Sequence, residues 1–442
     1  MLKRPPIVVA LALAVAASLS MWFYVNHILR AQQIADAALH NRPRGNLSDL
    51  YPRWLGAREL LKRGRNPYSD EITREIQRGY YGRALDPARP DDPKDQQGFA
   101  YPVYVVFLLA PTVDLPFDSV QSGFRWLLVA LAAVGVLLWL RALRWKPSFG
   151  TTLTFIILTL GWLPMVQGLK LQQLSLLVAG LLAACAACLS AGWLFFAGGL
   201  LAFATIKPQL TWPIVLWLLV WTVSDWRSRR RFLFGFALIM LLLLGGAELV
   251  LPGWLRMFFT AIRQYHQYTQ NQSVLAWMFG SNLFGSSLGH VLELLSVVVC
   301  GLCLWGARGE PAGSPLFGRS FGLVLALTVV IVPMFAPYNQ VLLLPAILAL
   351  LHSQRFAPPI LPAIRLARGI GCVLLVWPWI ATLTLTGLYL WLSPELRQRV
   401  WPVPFYSNFM LPIFVFGLAL LDTLHDSWAN AERNLRDHVP AE

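Results

Sequence analysis

Continuous apolar runs recur along this chain, many of about 18–22 residues, the length a helix needs to cross a hydrocarbon core of about 30 Å. They lie near 7–24, 119–140, 148–166, 171–190, 192–206, 209–223, 232–251, 283–305, 319–336, 339–352, 367–390 and 405–422. Only 13% of the 442 residues are charged, against 57% apolar. A soluble domain averages roughly 25% charged residues, so this chain cannot clothe a globular surface. The runs are continuous rather than alternating, which excludes a β-barrel. The reading is an all-α polytopic membrane protein with about twelve transmembrane helices, residues 1–442 forming a single integral membrane domain.

Charge orients the spans. The chain opens Met1-Leu2-Lys3-Arg4-Pro5-Pro6 and turns apolar up to Tyr24 with no small-residue cleavage site, which reads as an uncleaved first span. With twelve spans, one set of loops holds sixteen basic residues, among them Arg141, Arg144, Arg227, Arg229 and Arg308. The short loops of the other set hold six: Lys170, Lys207, Arg256, Arg263, Arg397 and Arg399. Basic residues favour the cytoplasm, so both termini are placed there, with residues 423–442 as a short cytoplasmic tail. Residues 26–118 form a large first outer loop. Its apolar stretch from Tyr101 to Val113 is too short to cross and reads as an interfacial or re-entrant helix. Its polar middle, Asp86 to Gln97, reads as mobile.

The net charge of +14 does not indicate nucleic acid, because the basic residues are spread over span flanks and an outer loop rich in acids. The five cysteines all lie in apolar runs. Cys185/Cys188 and Cys300/Cys303 have metal-like spacing but no further ligands near them in sequence, so neither a metal nor a disulfide framework is assigned.

Polar residues gather at the outer ends of the spans. Asp49, Tyr51 and Arg53 lie in the first loop, and Gln167, Lys170, Gln172 and Gln173 in the second. Lys207-Pro208-Gln209 forms the third. Arg263, His266, Asn271, Gln272 and Ser273 follow in the fourth loop, and Tyr338, Asn339 and Gln340 in the fifth. Lys207 suits a lipid phosphate, though a lysine at this level also serves as a snorkelling anchor. Asp49 is a candidate general base, or with Ser48 a cap for a helix starting near Leu50.

These stretches carry a resemblance. SDLYPRWLGARELLKRGRNPY, the YPV at Tyr101, QGLKLQQLSLLVAGLL, AGGLLAFATIKPQ, the NQS of the fourth loop and APYNQVLLLP occur in an order similar to that of glycosyltransferase family 87. These are GT-C class enzymes that use polyprenyl-phosphate sugars, bacterial periplasmic mannosyl- and arabinofuranosyltransferases among them. The resemblance covers residues 45–345 or so. It implies a first periplasmic loop with juxtamembrane helices, Asp49 as catalytic base and Lys207 at the lipid phosphate of the donor. Some members carry histidines in the fifth loop, where this chain reads Ala336-Pro337-Tyr338-Asn339-Gln340, so their sugar identity does not transfer.

The expected activity is inverting transfer of a sugar from a polyprenyl-phosphate donor to a hydroxyl of a glycan or glycolipid, at the periplasmic face of the bacterial cytoplasmic membrane. Arg53, Arg263, Gln167 and Gln172 join Lys207 as candidates for donor binding. Tyr51, His266, Asn271, Gln272, Tyr338 and Asn339 are candidates for acceptor or sugar contacts. No metal or other cofactor is expected, and the partners are the donor, the acceptor and the bilayer. The competing readings are a lipid or sugar transporter (a flippase without transferase activity) and an inactive scaffold. Transporters show internal repeats and midplane polar residues, which are not evident here. Reporter fusions are expected to place residues 86–94 and residues 227–231 on opposite sides of the membrane; finding them on one side removes this topology.

Overall fold

The computed structural model describes residues 6–43, 48–86, 88–269, 272–279, 287–333, 336–353 and 362–437. All regular structure among them is helical. Helix α1 (Ile7–Phe23) continues through a π-helical turn (Tyr24–Leu29) into α2 (Arg30–Leu39). The polar segment that follows carries α3 (Tyr51–Arg63), α4 (Asp70–Tyr81) and α5 (Val105–Leu109). The bundle proper continues with α6 (Phe117–Ala142), α7 (Phe149–Leu160), α8 (Leu163–Leu171), α9 (Leu174–Ser190), α10 (Leu194–Ala204), α11 (Pro208–Ser224) and α12 (Trp226–Val250). Next come α13 (Trp254–Thr269), α14 (Val274–Phe279), α15 (Ser287–Gly306) and α16 (Pro315–Ile331). A 3-10 turn (Pro337–Leu343) leads into α17 (Leu344–Ser353), followed by α18 (Pro362–Gly387), α19 (Pro394–Val400) and α20 (Leu411–Asp437).

The protein is membrane-embedded, but its helices are less uniform than the apolar runs imply. Five of them (α1 with its extension, α6, α12, α15 and α18) are long and apolar enough to cross a membrane, and α7 with α8, bent by 57°, makes a sixth. Helices α9, α11 and α16 have 17 residues and α10 has 11. At 1.5 Å per residue α10 rises only about 16 Å, half a bilayer core. The twelve expected crossings are thus not all full-length helices. Hydropathy merges a short helix with the apolar turn beside it, here Thr205 and Ile206, and overstates its length.

The first helical segment runs without a break to Leu39, well into the expected first loop, and α20 runs through Asp437, across most of the expected tail. The stretch from Tyr101 to Val113 does not cross. It forms the five-residue α5 and a 3-10 turn, with Val103, Val105 and Val106 fully buried. The Tyr104 hydroxyl donates to the Thr205 carbonyl at 2.9 Å, and the Trp54 indole donates to the Thr112 carbonyl at 3.1 Å. These bonds make the stretch a plug in the end of the bundle.

The polar middle of the loop is held, not loose. Arg83 pairs with Asp92, Gln77 donates to the Gln96 carbonyl at 3.1 Å and Tyr81 donates to the Asp95 carbonyl at 2.9 Å. Each anchor comes from α4 or its end, an amphipathic helix that buries Ile72, Ile76 and Tyr80 at fourfold spacing. Ser69 caps it, accepting from the Ile72 amide at 3.3 Å, with Asp70 and Glu71 in the first turn. Gly64 ends α3 with φ +65°, and Arg65 then reaches Glu59 on α3 and Glu75 on α4 at 2.7 and 2.6 Å. The segment is a small helical cap on one end of the bundle.

Helices α10 and α12 approach backbone to backbone. A Cβ at Gly198 would collide with the Phe232 carbonyl, and one at Gly235 with that of Phe195, so small residues on both sides set the distance. Because α10 is short, the turn after it stops part-way along its neighbour: Thr205 Oγ1 lies 3.5 Å from the Met240 sulfur. Ten residues of α12 remain beyond Met240, so this turn is recessed by about 15 Å.

At the other end of α12 one guanidinium ties three segments together. Arg229 Nη1 donates to the carbonyls of Trp221 (2.6 Å) and Arg308 (2.7 Å), and Nη2 to those of Gly309 (2.8 Å) and Glu310 (3.0 Å). The Trp221 ring lies 4.2 Å from the Arg229 guanidinium carbon. Arg229→Ala removes these four donations. Ser224 Oγ still donates to the carbonyls of Trp221 and Arg308 and the Trp221 indole to that of Glu310, so the loss is of charge-assisted bonds rather than of every partner. The variant is expected to lose about 1–3 kcal/mol, read as a lowered thermal midpoint in detergent; an unchanged midpoint would deny this clamp a stabilising role.

Candidate active site

The site is assembled where three helices begin or end. Gln172 closes α8 in the left-handed region (φ 48°, ψ 49°), and its amide donates to the carbonyls of Leu169 (2.8 Å) and Lys170 (2.9 Å). That reversal makes Gln173 the N-cap of α9 and turns its side chain the other way. The amide of Asp49 donates to the Leu171 carbonyl at 2.9 Å, which fixes the first loop to this corner. The Asp49 carboxylate accepts from Gln173 Nε2 and, at 3.4 Å, from the Tyr80 hydroxyl. Leu50 occupies the cap of α3, and no side chain bonds there. The capping role considered for Asp49 is therefore not the one it plays.

Lys207 is the N-cap of α11, fixed by Pro208 at the first helical position. It is only 2% exposed, and a cation so buried is stable only when partnered. Its ammonium donates to Ser175 Oγ at 2.6 Å and to Gln173 Oε1 at 3.4 Å, and the Tyr338 ring lies 5.2 Å away. Ser175 in turn donates to Asn339 Oδ1 at 2.8 Å. One turn beyond Asp49, the Arg53 guanidinium lies 4.4 Å from the centre of the Tyr101 ring and donates to the Asp49 carbonyl at 2.9 Å.

These groups face a cavity of about 240 Å³ lined by Asp49, Arg53, Asp95, Tyr101, Gln173, Lys207 and Tyr338. Helix α13 walls it with Phe258, Ile262, Tyr265, His266 and Thr269. Burial pushes the Asp49 carboxyl above the usual carboxylate range. Asp95 adds to the rise, while Arg53, Lys207 and the Gln173 bond oppose it. Burial also raises Asp95, whose carboxylate is gripped by the Gln97 amide nitrogen at 2.9 Å and by Gln97 Nε2 at 3.0 Å.

Of the residues singled out in the sequence, Asp49, Arg53, Gln173, Lys207, Gln209, His266 and Tyr338 line this cavity. Asn339 stands behind Lys207, reaching it through Ser175. Five others are elsewhere. Arg263 is exposed beside Arg256 on another face of α13. Gln167 is buried within α8, and Gln172 spends its amide on the helix end. Tyr51 packs edge-on against Phe117, ring centres 4.9 Å apart. Gln272 is exposed and lies outside the cavity lining, and Asn271 falls outside the described residues. Asp95, Tyr101 and Tyr265 were not foreseen. For Tyr265 a signal existed: positions 258, 262, 265 and 269 recur at helical spacing. Gln173 stood in the second-loop cluster, but composition does not say which of two adjacent glutamines turns inward.

Among the described residues, no three or more His, Cys, Asp or Glu side chains gather as a metal site. Apolar helices enclosing a polar pocket, with a carboxylate and a buried cation in its lining, define a membrane-embedded protein with a polar site at one end. Within that class the chain belongs to glycosyltransferase family 87, whose profile matches residues 99–337, more than half of the sequence. Gln173, Lys207 and α13 lie inside the matched span, whereas Asp49, Arg53 and Asp95 precede it. No curated protein and no solved structure matches the chain.

Proposed function

We propose that this glycosyltransferase moves a hexose or pentose from a polyprenyl-phosphate carrier to an acceptor hydroxyl of a glycan or glycolipid, with inversion. The observation that carries the reading is Gln173, which joins Asp49 and Lys207 on one wall of one cavity. Asp49 takes the proton of the acceptor hydroxyl as its oxygen bonds to the anomeric carbon. The bond from that carbon to the phosphate oxygen breaks, and the electron pair leaves on the phosphate. Lys207, with Arg53 on the same cavity, stabilises that charge. His266 and Tyr338 contact the sugar. The apolar flanks of the recessed end hold the polyprenyl chain. No metal or cofactor is invoked. The cavity faces the periplasm of a bacterial cytoplasmic membrane in this reading, with both termini cytoplasmic. Membership of a glycosyltransferase family weighs against the flippase alternative.

Purified protein given a labelled polyprenyl-phosphate sugar and candidate acceptors tests the reaction. Asp49→Asn keeps the size of the side chain but removes the base, and transfer is expected to fall by about 10²–10⁴-fold. The base acts only when ionised. Raising its pKa therefore moves the acid limb of kcat/KM upward from the free-aspartate value of about 3.9, and the limb should be absent from residual Asp49→Asn activity. A folded Asp49→Asn protein with near wild-type turnover excludes the assignment.

Lys207→Ala is expected to weaken binding of the polyprenyl-phosphate sugar, and Lys207→Arg to retain part of it because charge persists while geometry changes. Equal donor affinity in wild type and Lys207→Ala would leave Lys207 a purely structural cation.

A further inference from the structure

A second cavity, of about 440 Å³, lies beside the reaction cavity and shares Gly98 and Ala100 with it. Tyr68, Asp70, Thr73, Gln264, Gln267 and Tyr268 line it. Helix α13 serves both spaces. Phe258, Ile262, Tyr265 and Thr269 face the reaction cavity, and Ala261, Gln264 and Tyr268 face the second one. The two sets interleave on one helix, so the cavities are neighbours along a common wall.

Gly98 is the threshold between them. Its φ is not in the left-handed region, so the backbone does not require a glycine there. Nor does packing: a Cβ would meet only Thr73 Oγ1 at 3.9 Å and the Tyr268 hydroxyl at 4.0 Å. What the missing side chain leaves is a gap in the partition. The partition itself is firm. Phe99 is 1% exposed and meets Tyr68 edge-on at 5.3 Å, while Gln97 is fastened to Asp95.

We propose that the second cavity is a glycan subsite and that the acceptor is a saccharide of two or more sugars, its reactive end at Asp49 and its next unit past Gly98. This rests on the transfer reaction proposed above. The chemistry of the lining favours a neutral polyhydroxyl ligand. Amides donate and accept together, a carboxylate accepts from hydroxyls, and tyrosine rings offer apolar faces to the C–H side of a sugar. Its lining residues include no lysine or arginine, and Asp70 would repel a phosphate, so a lipid headgroup is a poor fit.

The test uses octyl glycosides of one, two and three sugars, in parallel glucose, mannose and galactose series, as acceptors and as ligands in equilibrium binding to the detergent-purified full chain. In a series that accepts transfer, the two-sugar acceptor is expected to show about tenfold lower KM than the one-sugar acceptor, the worth of one or two net hydrogen bonds. Gly98→Leu, which closes the gap, should abolish that length preference. Gly98→Ala should keep it, and the double variant Gln264→Ala/Gln267→Ala should reduce it. A KM independent of acceptor length in wild type overturns the proposal, as does a Gly98→Leu protein that loses one- and two-sugar acceptors equally. If wild type glycosylates no acceptor of any length, the transfer reading itself fails. Binding then judges the cavity alone: affinity that rises with length and stops rising in Gly98→Leu supports a glycan site, and length-independent affinity removes it.

Discussion

One carboxamide organises the reactive end of the molecule. Gln173 can satisfy a carboxylate and an ammonium together in only one orientation, with nitrogen toward Asp49 and oxygen toward Lys207. Reversed, both contacts would be repulsive. The amide therefore locks the relative positions of acid and cation, and with them four stretches of chain distant in sequence. The first loop arrives through Asp49, the α8–α9 corner through Gln173 and Ser175, the α10–α11 turn through Lys207, and the 3-10 turn through Asn339. Polar networks in a low-dielectric interior are costly when half-satisfied, which ties the bundle end to this arrangement.

Arg229 and Lys207, two buried cations among the described residues, are handled differently. Arg229 spends its planar donors on backbone carbonyls around it, a saturated knot with nothing left to offer a ligand. Lys207 has neutral company, the Ser175 hydroxyl, a longer contact to Gln173, the Tyr101 hydroxyl and the Tyr338 ring, and it borders a cavity. A compact cation with neutral partners and open space in front of it retains attraction for an anion. The helix that joins them, α11, runs from the Lys207 turn to the Arg229 clamp, so cavity and anchorage occupy opposite ends of this helix.

Much of the site was legible because a membrane chain has few places for polar groups. Asp49, Arg53 and Lys207 stand out against 57% apolar composition, and they do converge. Failures came where local geometry decides. Gln172 and Gln173 are adjacent and chemically identical, and only the left-handed backbone at Gln172 separates a helix cap from a cavity residue. Arg263 is one position from Ile262, yet a 100° step around α13 carries it off the site. Asp95 lay in a stretch whose polarity suggested mobility. Its order comes from Gln77, Tyr81 and Arg83 near the end of α4, contacts that composition does not display. Some apolar runs overstate their helices for a related reason, since a hydropathy window registers how apolar a stretch is and not where its helix stops.

The brevity of α10 bears on the surrounding bilayer as well as on the cavity. A sheet of lipid that meets a rise of about 16 Å at α10 and about 37 Å at α12 cannot keep one thickness around the protein. Phe195, Phe196 and Phe203 of α10 and Trp212 and Leu216 of α11 remain outward-facing and exposed, so this flank still solicits acyl chains. Lipid there must thin or tilt, at a cost of fractions of a kcal/mol per Å of mismatch. Thinning lowers the local headgroup plane toward the level of Lys207. Any lipid-borne molecule on that flank would have a shorter way to travel where the bilayer thins to match the protein.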